Sequence, residues 1–161
     1  MAQKTEPQFA IFDINAAIRE VVALLHGQIG KFQVVLEQRG LDVECLVHGD
    51  RVQIQQVVFN LLMNGMEAMA TVTTRSRAMT VMSLLDDAGI VQVTVEDAGA
   101  GIEPNAVNKI FEPFFTTKAS GMGMGLSICR SIVETHGGTL GVTQRQPQGT
   151  VFRFSIAQGS K

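Results

Sequence analysis

Apolar residues recur along the chain with two alternating periods. Ile14, Ala17, Ile18, Val21, Val22, Leu24 and Leu25 follow helical spacing, behind Asp13 as an N-cap and ahead of Gly30 as a stop. A second helix is predicted from the N-cap Asp50 to about Thr71, with Ile54, Val57, Val58, Leu61, Leu62 and Met69 on its apolar face. A third runs from Gly125 to Thr135 and stops at His136-Gly137-Gly138. Short β-rich runs fill the intervals: 9–12, 32–38, 43–47, 79–85, 90–97, 140–144 and 150–156. The runs 32–38 and 43–47, separated by Arg39-Gly40-Leu41-Asp42, read as a strand pair, and 79–85 with 90–97 as a hairpin through Asp86-Asp87-Ala88-Gly89. Residues 72–77 are polar and basic and read as a loop. The order β-α-β-β-α-β-β-loop-α-β-β predicts an α/β (α+β) two-layer sandwich, with a mixed sheet of about five strands and three main helices on one face. The domain is expected over 9–158, behind a flexible tail at 1–8.

Regularity fails from Ala98 to Met122, with room for only a turn or two of helix at 105–111. A loop this long within a compact domain is usually functional or disordered. Composition sharpens its meaning. The 161 residues include 16 glycines, of which Gly99, Gly101, Gly121, Gly123 and Gly125 fall in or beside this stretch. Alternating glycines expose backbone N–H groups and let a ligand approach closely. A net charge of −2 gives no electrostatic footprint for nucleic acid. Two cysteines without a CxxC spacing make free thiols the default. The start is polar and no apolar run approaches membrane-spanning length, so neither a signal peptide nor membrane contact is expected.

Three constellations carry candidate chemistry. In 90–97, Val91, Val93 and Val95 alternate with polar residues, and period two puts Asp97 on the valine face. A carboxylate at the rim of a core needs a donor. Alone it reads equally as an Asx-turn at a strand end and as a ligand acceptor. The following Ala98-Gly99-Ala100-Gly101-Ile102 favours the acceptor, because a flat ligand with an exocyclic amine could lie against that backbone. Asn60 and Asn64 share one helix face, flanked by Val57, Leu61 and Ala68. They read either as satisfied core amides or as neutral oxygen ligands of the kind that complete a Mg²⁺ shell with phosphates. Finally, Lys118-Ala119-Ser120-Gly121-Met122-Gly123-Met124-Gly125-Leu126 is a glycine loop leading into a helix N-terminus, an anion-binding arrangement, although neither a P-loop nor a GxGxxG.

In this order the residues resemble the ATP-binding catalytic domain of bacterial sensor histidine kinases. These belong to the GHKL superfamily, shared with heat-shock chaperone, mismatch-repair and type II topoisomerase ATPases. The resemblance spans about 9–156. Gln56–Met69 is similar to the N box, Asp97–Ile102 to the first glycine box, Ile110–Lys118 (IFEPFFTTK) to the F box, and Gly121–Ile128 to the second glycine box. The resemblance implies a Bergerat-type fold, ATP and Mg²⁺. It implies Mg²⁺ at Asn64, with Asn60 catalytic and near the phosphates. It implies the adenine amine at Asp97 supported by Thr150, and Gly99, Gly101, Ile102 and Leu126 around the base. Lys118, Gly121, Gly123 and Gly125 would meet the phosphates, and 103–122 would be a lid. Gly65 stands where the family usually has Ala, which weakens the helix by roughly 1 kcal/mol. Ala98 and Ala100 replace a common Asn and Pro, which loosens the loop.

The resemblance further implies transfer of the γ-phosphate to a histidine on a separate dimerisation domain, for relay to a response-regulator receiver domain, at a cytoplasmic location. The phospho-accepting histidine of the family is followed by an acidic residue and later a Pro. His26, His48 and His136 are each followed by Gly and do not fit, so the chain is expected to act on a partner. An apolar patch is expected where Phe111, Phe114, Phe115, Met122 and Met124 gather, either as an interface or as pins for the lid. The competing classes are a GHKL-type ATP hydrolase, an anti-sigma-type serine kinase and a non-catalytic binding module. The hydrolases carry a general-base Glu where this chain has Asn60, which cannot act as a base.

Overall fold

The computed structural model describes residues 6–107, 109–112 and 125–160. Seven strands and four α-helices follow one another as β1 (Ala10–Asp13), α1 (Ile14–Leu24), α2 (His26–Lys31), β2 (Val35–Arg39), β3 (Leu46–Gly49), α3 (Arg51–Ala68), β4 (Ala78–Leu85), β5 (Ile90–Asp97), α4 (Gly125–Thr135), β6 (Leu140–Gln144) and β7 (Thr150–Ala157). A 3₁₀ turn, Pro104–Ala106, lies in the irregular stretch. The five-stranded sheet has the order β2-β4-β5-β7-β6, with β2 parallel to β4 and every other neighbour antiparallel. The sandwich and the mixed five-stranded sheet are those expected.

Strand alternation sets the core. Val91, Val93 and Val95 of β5 pair across to Ile156, Phe154 and Phe152 of β7, and all six are at most 1% exposed. Against this face α3 lays Ile54, Val57, Val58, Leu61, Leu62 and Met66. Both predicted N-caps are present. Asp13 Oδ1 accepts from the Asn15 N–H at 3.0 Å, and Asp50 Oδ1 from the Gln53 N–H at 3.1 Å. Each satisfies one of the orphan donors of its helix's first turn.

Two expectations are corrected. The helix predicted to run to Gly30 breaks at Leu25 into α1 and α2, because Leu25 is buried with non-helical backbone between them. The expected strand pair 32–38 and 43–47 does not form. Strand β2 takes β4 as its neighbour, whereas β3 joins β1 in a separate two-stranded ribbon. The cause is Asn15, buried in α1, which donates from Nδ2 to the Gly40 and Val43 carbonyls at 3.0 and 2.8 Å. Its Oδ1 accepts from the Ser83 hydroxyl of β4 at 2.6 Å. With Leu41 buried beside it, the connection folds over the end of α1 rather than turning back as a hairpin.

Asn15→Leu removes the donor of the Val43 carbonyl and the nearer donor of the Gly40 carbonyl, and is expected to cost about 2–4 kcal/mol. Urea unfolding measures it: the midpoint should fall at constant slope, and Asn15→Leu of wild-type stability would refute this role.

Candidate functional site

The site begins at the last residue of β5. Asp97 follows the buried valines onto the helix-facing side of the sheet and is 2% exposed. Met79 of β4 and the buried Thr150 of β7 stand opposite it in the strand register. Above it lies Gly65 of α3. A Cβ at Gly65 would stand 3.3 Å from Asp97 Cβ, 3.4 Å from Asp97 Oδ2 and 2.7 Å from the Met79 methyl. The glycine that weakens the helix in isolation thus lets α3 close over the carboxylate. Asp97 Oδ1 accepts from the Gly99 N–H at 2.8 Å. The Asx-turn reading is therefore correct for one oxygen, while Oδ2 lies toward α3.

Beyond the turn the chain passes through the buried Ala98 and Gly99 to Gly101 and Ile102, both half-buried. Gly101 has φ +85°, a conformation natural to glycine, and a Cβ there would meet the Gln144 side-chain oxygen at 2.7 Å. The Gln144 amide also donates to the Ile102 carbonyl, tying the loop to β6. Arg75, in the loop after α3, donates from Nη2 to the Ala98 and Gly99 carbonyls at 2.8 and 3.1 Å.

The other end of the site lies where α4 begins. Asn60 and Asn64 are both half-buried on α3. A Cβ on Gly125, the exposed first residue of α4, would stand 4.0 Å from Asn60 Nδ2. The same Nδ2 donates to the Cys129 sulfur at 3.6 Å, and the Cys129 thiol donates to the Val57 carbonyl at 3.9 Å. Burial pushes the Cys129 thiol up to about 11, with the Asn60 hydrogen bond opposing it. The far end of α4 is tied as well. His136 Nδ1 lies 2.7 Å from the Ile132 carbonyl, and His136 Nε2 accepts from the Asp50 N–H at 3.0 Å. The ring thus bridges the last turn of α4 to the residue that caps α3. Phe9 stacks on the ring at 4.6 Å.

The fold thus brings Asp97, Gly99, Gly101, Ile102 and Thr150 together near the C-terminal end of α3, and Gly125 and Leu126 beside Asn60 at the middle of that helix, with Asn64 on α3 beside Gly65. Lys118, Gly121 and Gly123, the lid from 113 onward, and Phe114, Phe115, Met122 and Met124 lie outside the described residues. Phe111, half-buried, packs edge-on against Phe152 at 6.4 Å beneath the Arg130 guanidinium. His26 and His48 are exposed. Sequence reasoning missed Arg75, Cys129 and the Asp50 contact of His136. Their one signal was the basic Arg75-Ser76-Arg77, which nothing in the linear pattern directs to residues 98–99.

A carboxylate is thus buried at a strand end, two asparagines lie along the covering helix, and a second helix opens beside one of them. Residues 49–160 match the histidine kinase-, DNA gyrase B- and HSP90-like ATPases. The chain belongs to this family. Within it the similarity runs to sensor kinases. The chain is 35% identical over 154 residues to the sensor protein TdiS of Thauera aromatica, covering 95% of this chain and 28% of the relative. It is 45% identical over 111 residues to the sensor protein FixL of Bradyrhizobium diazoefficiens, covering 69% of this chain and 22% of the relative. The solved catalytic domain of histidine kinase ThkA superposes with a TM-score of 0.80 at 38% identity, covering 94% of this chain and 96% of that one. ThkA in complex with the response regulator TrrA gives a TM-score of 0.81 at 34% identity, over 95% of this chain and 42% of that one. The chain therefore spans about a quarter of the length of the curated relatives it matches.

At a pKa of about 11, only about one Cys129 thiol in a thousand is ionised at pH 8. Because the folded value is raised, this thiol's contribution to stability is complete below the unfolded value near 9 and is lost as pH rises through 11. A thiol-reactive dye is expected to modify Cys129 only on unfolding. Prompt labelling of Cys129 in the folded Cys45→Ser variant would contradict its packing.

Proposed function

We propose that this chain binds ATP with Mg²⁺ and transfers the γ-phosphoryl group to a histidine on a separate dimerisation domain, for relay to an aspartate of a response-regulator receiver domain. The supporting observation is the placing of a buried carboxylate and a helix N-terminus at two stations along α3. Gly65, over Asp97, and Asn60, beside Gly125, are five residues apart on α3, roughly 7 Å of helix. That separation suits a base at one station and phosphates at the other.

In this reading Asp97 accepts the adenine amine, with Thr150 opposite as support. The base lies over Gly99 and Gly101, between Ile102 and Leu126. The phosphates meet the positive end of α4 at Gly125, joined by Gly121, Gly123 and Lys118 of a lid over 103–122. The side-chain oxygen of Asn64 is a neutral, hard donor and fits Mg²⁺ shared with phosphate oxygens. The bound ion supplies charge neutralisation on the transferring group. The histidine nitrogen of the partner attacks the γ-phosphorus as the bond to the β-bridging oxygen breaks. ADP leaves with the electron pair, and the imidazole proton passes to solvent. The chain's own residues contribute positioning rather than covalent chemistry.

Asn60 faces the Cys129 sulfur as a hydrogen-bond donor and has no basic group with which to activate water. Hydrolysis is accordingly slow in this reading, and transfer to a protein is favoured over an ATP hydrolase. The reported ThkA–TrrA complex supports a response regulator as the downstream partner. No helix among the described residues is long and apolar enough to cross a membrane, and the reaction's need for ATP puts this segment in the cytoplasm.

Mixing the chain with a separately made dimerisation domain and γ-labelled ATP is expected to give acid-labile, base-stable label on the partner and none on this chain. Asp97→Ala should weaken Mg-ADP binding at least about tenfold, and Asn64→Ala should suppress transfer. Stable label on the isolated chain, or a fast ATPase abolished by Asn60→Ala, would overturn the proposal.

A further inference from the structure

The loop that follows Asp97 carries Ala98 and Ala100, which bring neither a side-chain hydrogen bond nor a ring to fix its shape. Its geometry is imposed from outside. The Ala98 N–H donates to the Met69 sulfur at 3.4 Å and the Gly99 N–H to Asp97 Oδ1 at 2.8 Å. The two carbonyls of the same residues accept from a single nitrogen of Arg75. All four backbone polar groups of Ala98 and Gly99 are thus met by side chains. Arg75 itself is held on a short tether. Two residues on, Arg77 donates to the Val72, Ala70 and Phe32 carbonyls at 2.9, 3.0 and 2.6 Å, anchoring the base of the loop. An arginine so placed loses less freedom on forming its bonds than one on an unanchored loop.

We propose that Arg75 is a positioning residue for base recognition, acting through the Ala98 and Gly99 carbonyls to hold the Asx-turn that aims the Asp97 carboxylate. The proposal rests on the nucleotide reading above. A charge-assisted donor to two carbonyls fixes the orientation of two successive peptide planes. The Gly99 N–H on the far side of those planes is the donor that holds Asp97 Oδ1. Without Arg75 the turn is looser and the carboxylate is less well aimed at an exocyclic amine. Arg75 therefore contributes to the preference for adenine over guanine, although it touches neither base nor phosphate.

The test is a titration of Mg-ADP, Mg-GDP and pyrophosphate into the wild-type chain, Arg75→Met and Arg75→Lys, by calorimetry. Arg75→Met is expected to weaken ADP binding about 5- to 10-fold and to shrink the ADP-over-GDP preference by a similar factor. Pyrophosphate should be unaffected, and Arg75→Lys should recover most of the loss. In an Asp97→Asn background Arg75→Met should add no further loss, since both changes act on one carboxylate. Equal weakening of ADP and pyrophosphate would mean that Arg75 meets the phosphates directly, and would overturn the proposal. So would a lowered melting temperature with an unchanged ADP affinity, which is the mark of a merely structural arginine. A wild-type chain that bound no ADP would bring down the nucleotide reading itself. A wild-type chain that bound ADP no better than Arg75→Met would bring down only the role of Arg75.

Discussion

The burial of one carboxylate governs the rest of this structure. Asp97 ends a strand whose other inward residues are valines, and it sits almost wholly out of solvent beneath α3. A charge in that position is costly unless its oxygens are met. Meeting them sets the surrounding sequence. Gly65 leaves out a Cβ that would crowd the Met79 methyl at 2.7 Å and press on Asp97 at 3.3–3.4 Å, and the chain turns at once so that the Gly99 N–H can donate back. Thr150 and Met79 occupy the flanking register positions. The resulting loop is one that the sheet cannot stabilise by ladder hydrogen bonds, so Met69 and Arg75 supply partners from the segment after α3.

The second constraint is the crossing of α3 and α4, which decides where the α4 N-terminus opens. Near its start, Cys129 joins Asn60 and Val57 of α3. At its end, His136 takes the N–H of Asp50, the residue that caps α3, while Gln8 donates to the same aspartate at 2.8 Å. Helix α4 is therefore tied at both its ends to the N-terminal half of α3 by polar contacts, in addition to apolar packing. Phe9, just before β1, stacks on His136. The entry of the chain, the cap of α3 and the close of α4 thus form one cluster, on the opposite end of the helices from Gly125.

Much of this was legible in the sequence because it follows from periodicity and local chemistry. The alternation of Val91, Val93 and Val95 put Asp97 on the buried face, and the aspartates before α1 and α3 marked their starts. The hairpin of β4 and β5 followed from a short turn between two β-rich runs. What was not legible depended on contacts distant in sequence. The partner of β2 is decided by Asn15, through hydrogen bonds to residues 40, 43 and 83, so a local reading chose the nearer strand instead. Arg75 looks like any solvated loop arginine until the fold brings residues 98 and 99 to it. His136 was read as closing its own helix, which it does, but its second nitrogen finds Asp50 only in three dimensions. Gly65 looked like a defect of α3 because its benefit lies on another element.

Hydrogen–deuterium exchange with and without saturating Mg-ADP reads out whether one nucleotide spans the Asp97 loop and the start of α4. Such a nucleotide slows exchange in peptides covering 97–102 and 125–129, with β2 at 35–39 and the helix-free sheet face around Gln92, Val151 and Arg153 unchanged. Binding that protected the helix-free face, or that left 97–102 exchanging as in the free protein, would contradict that placement.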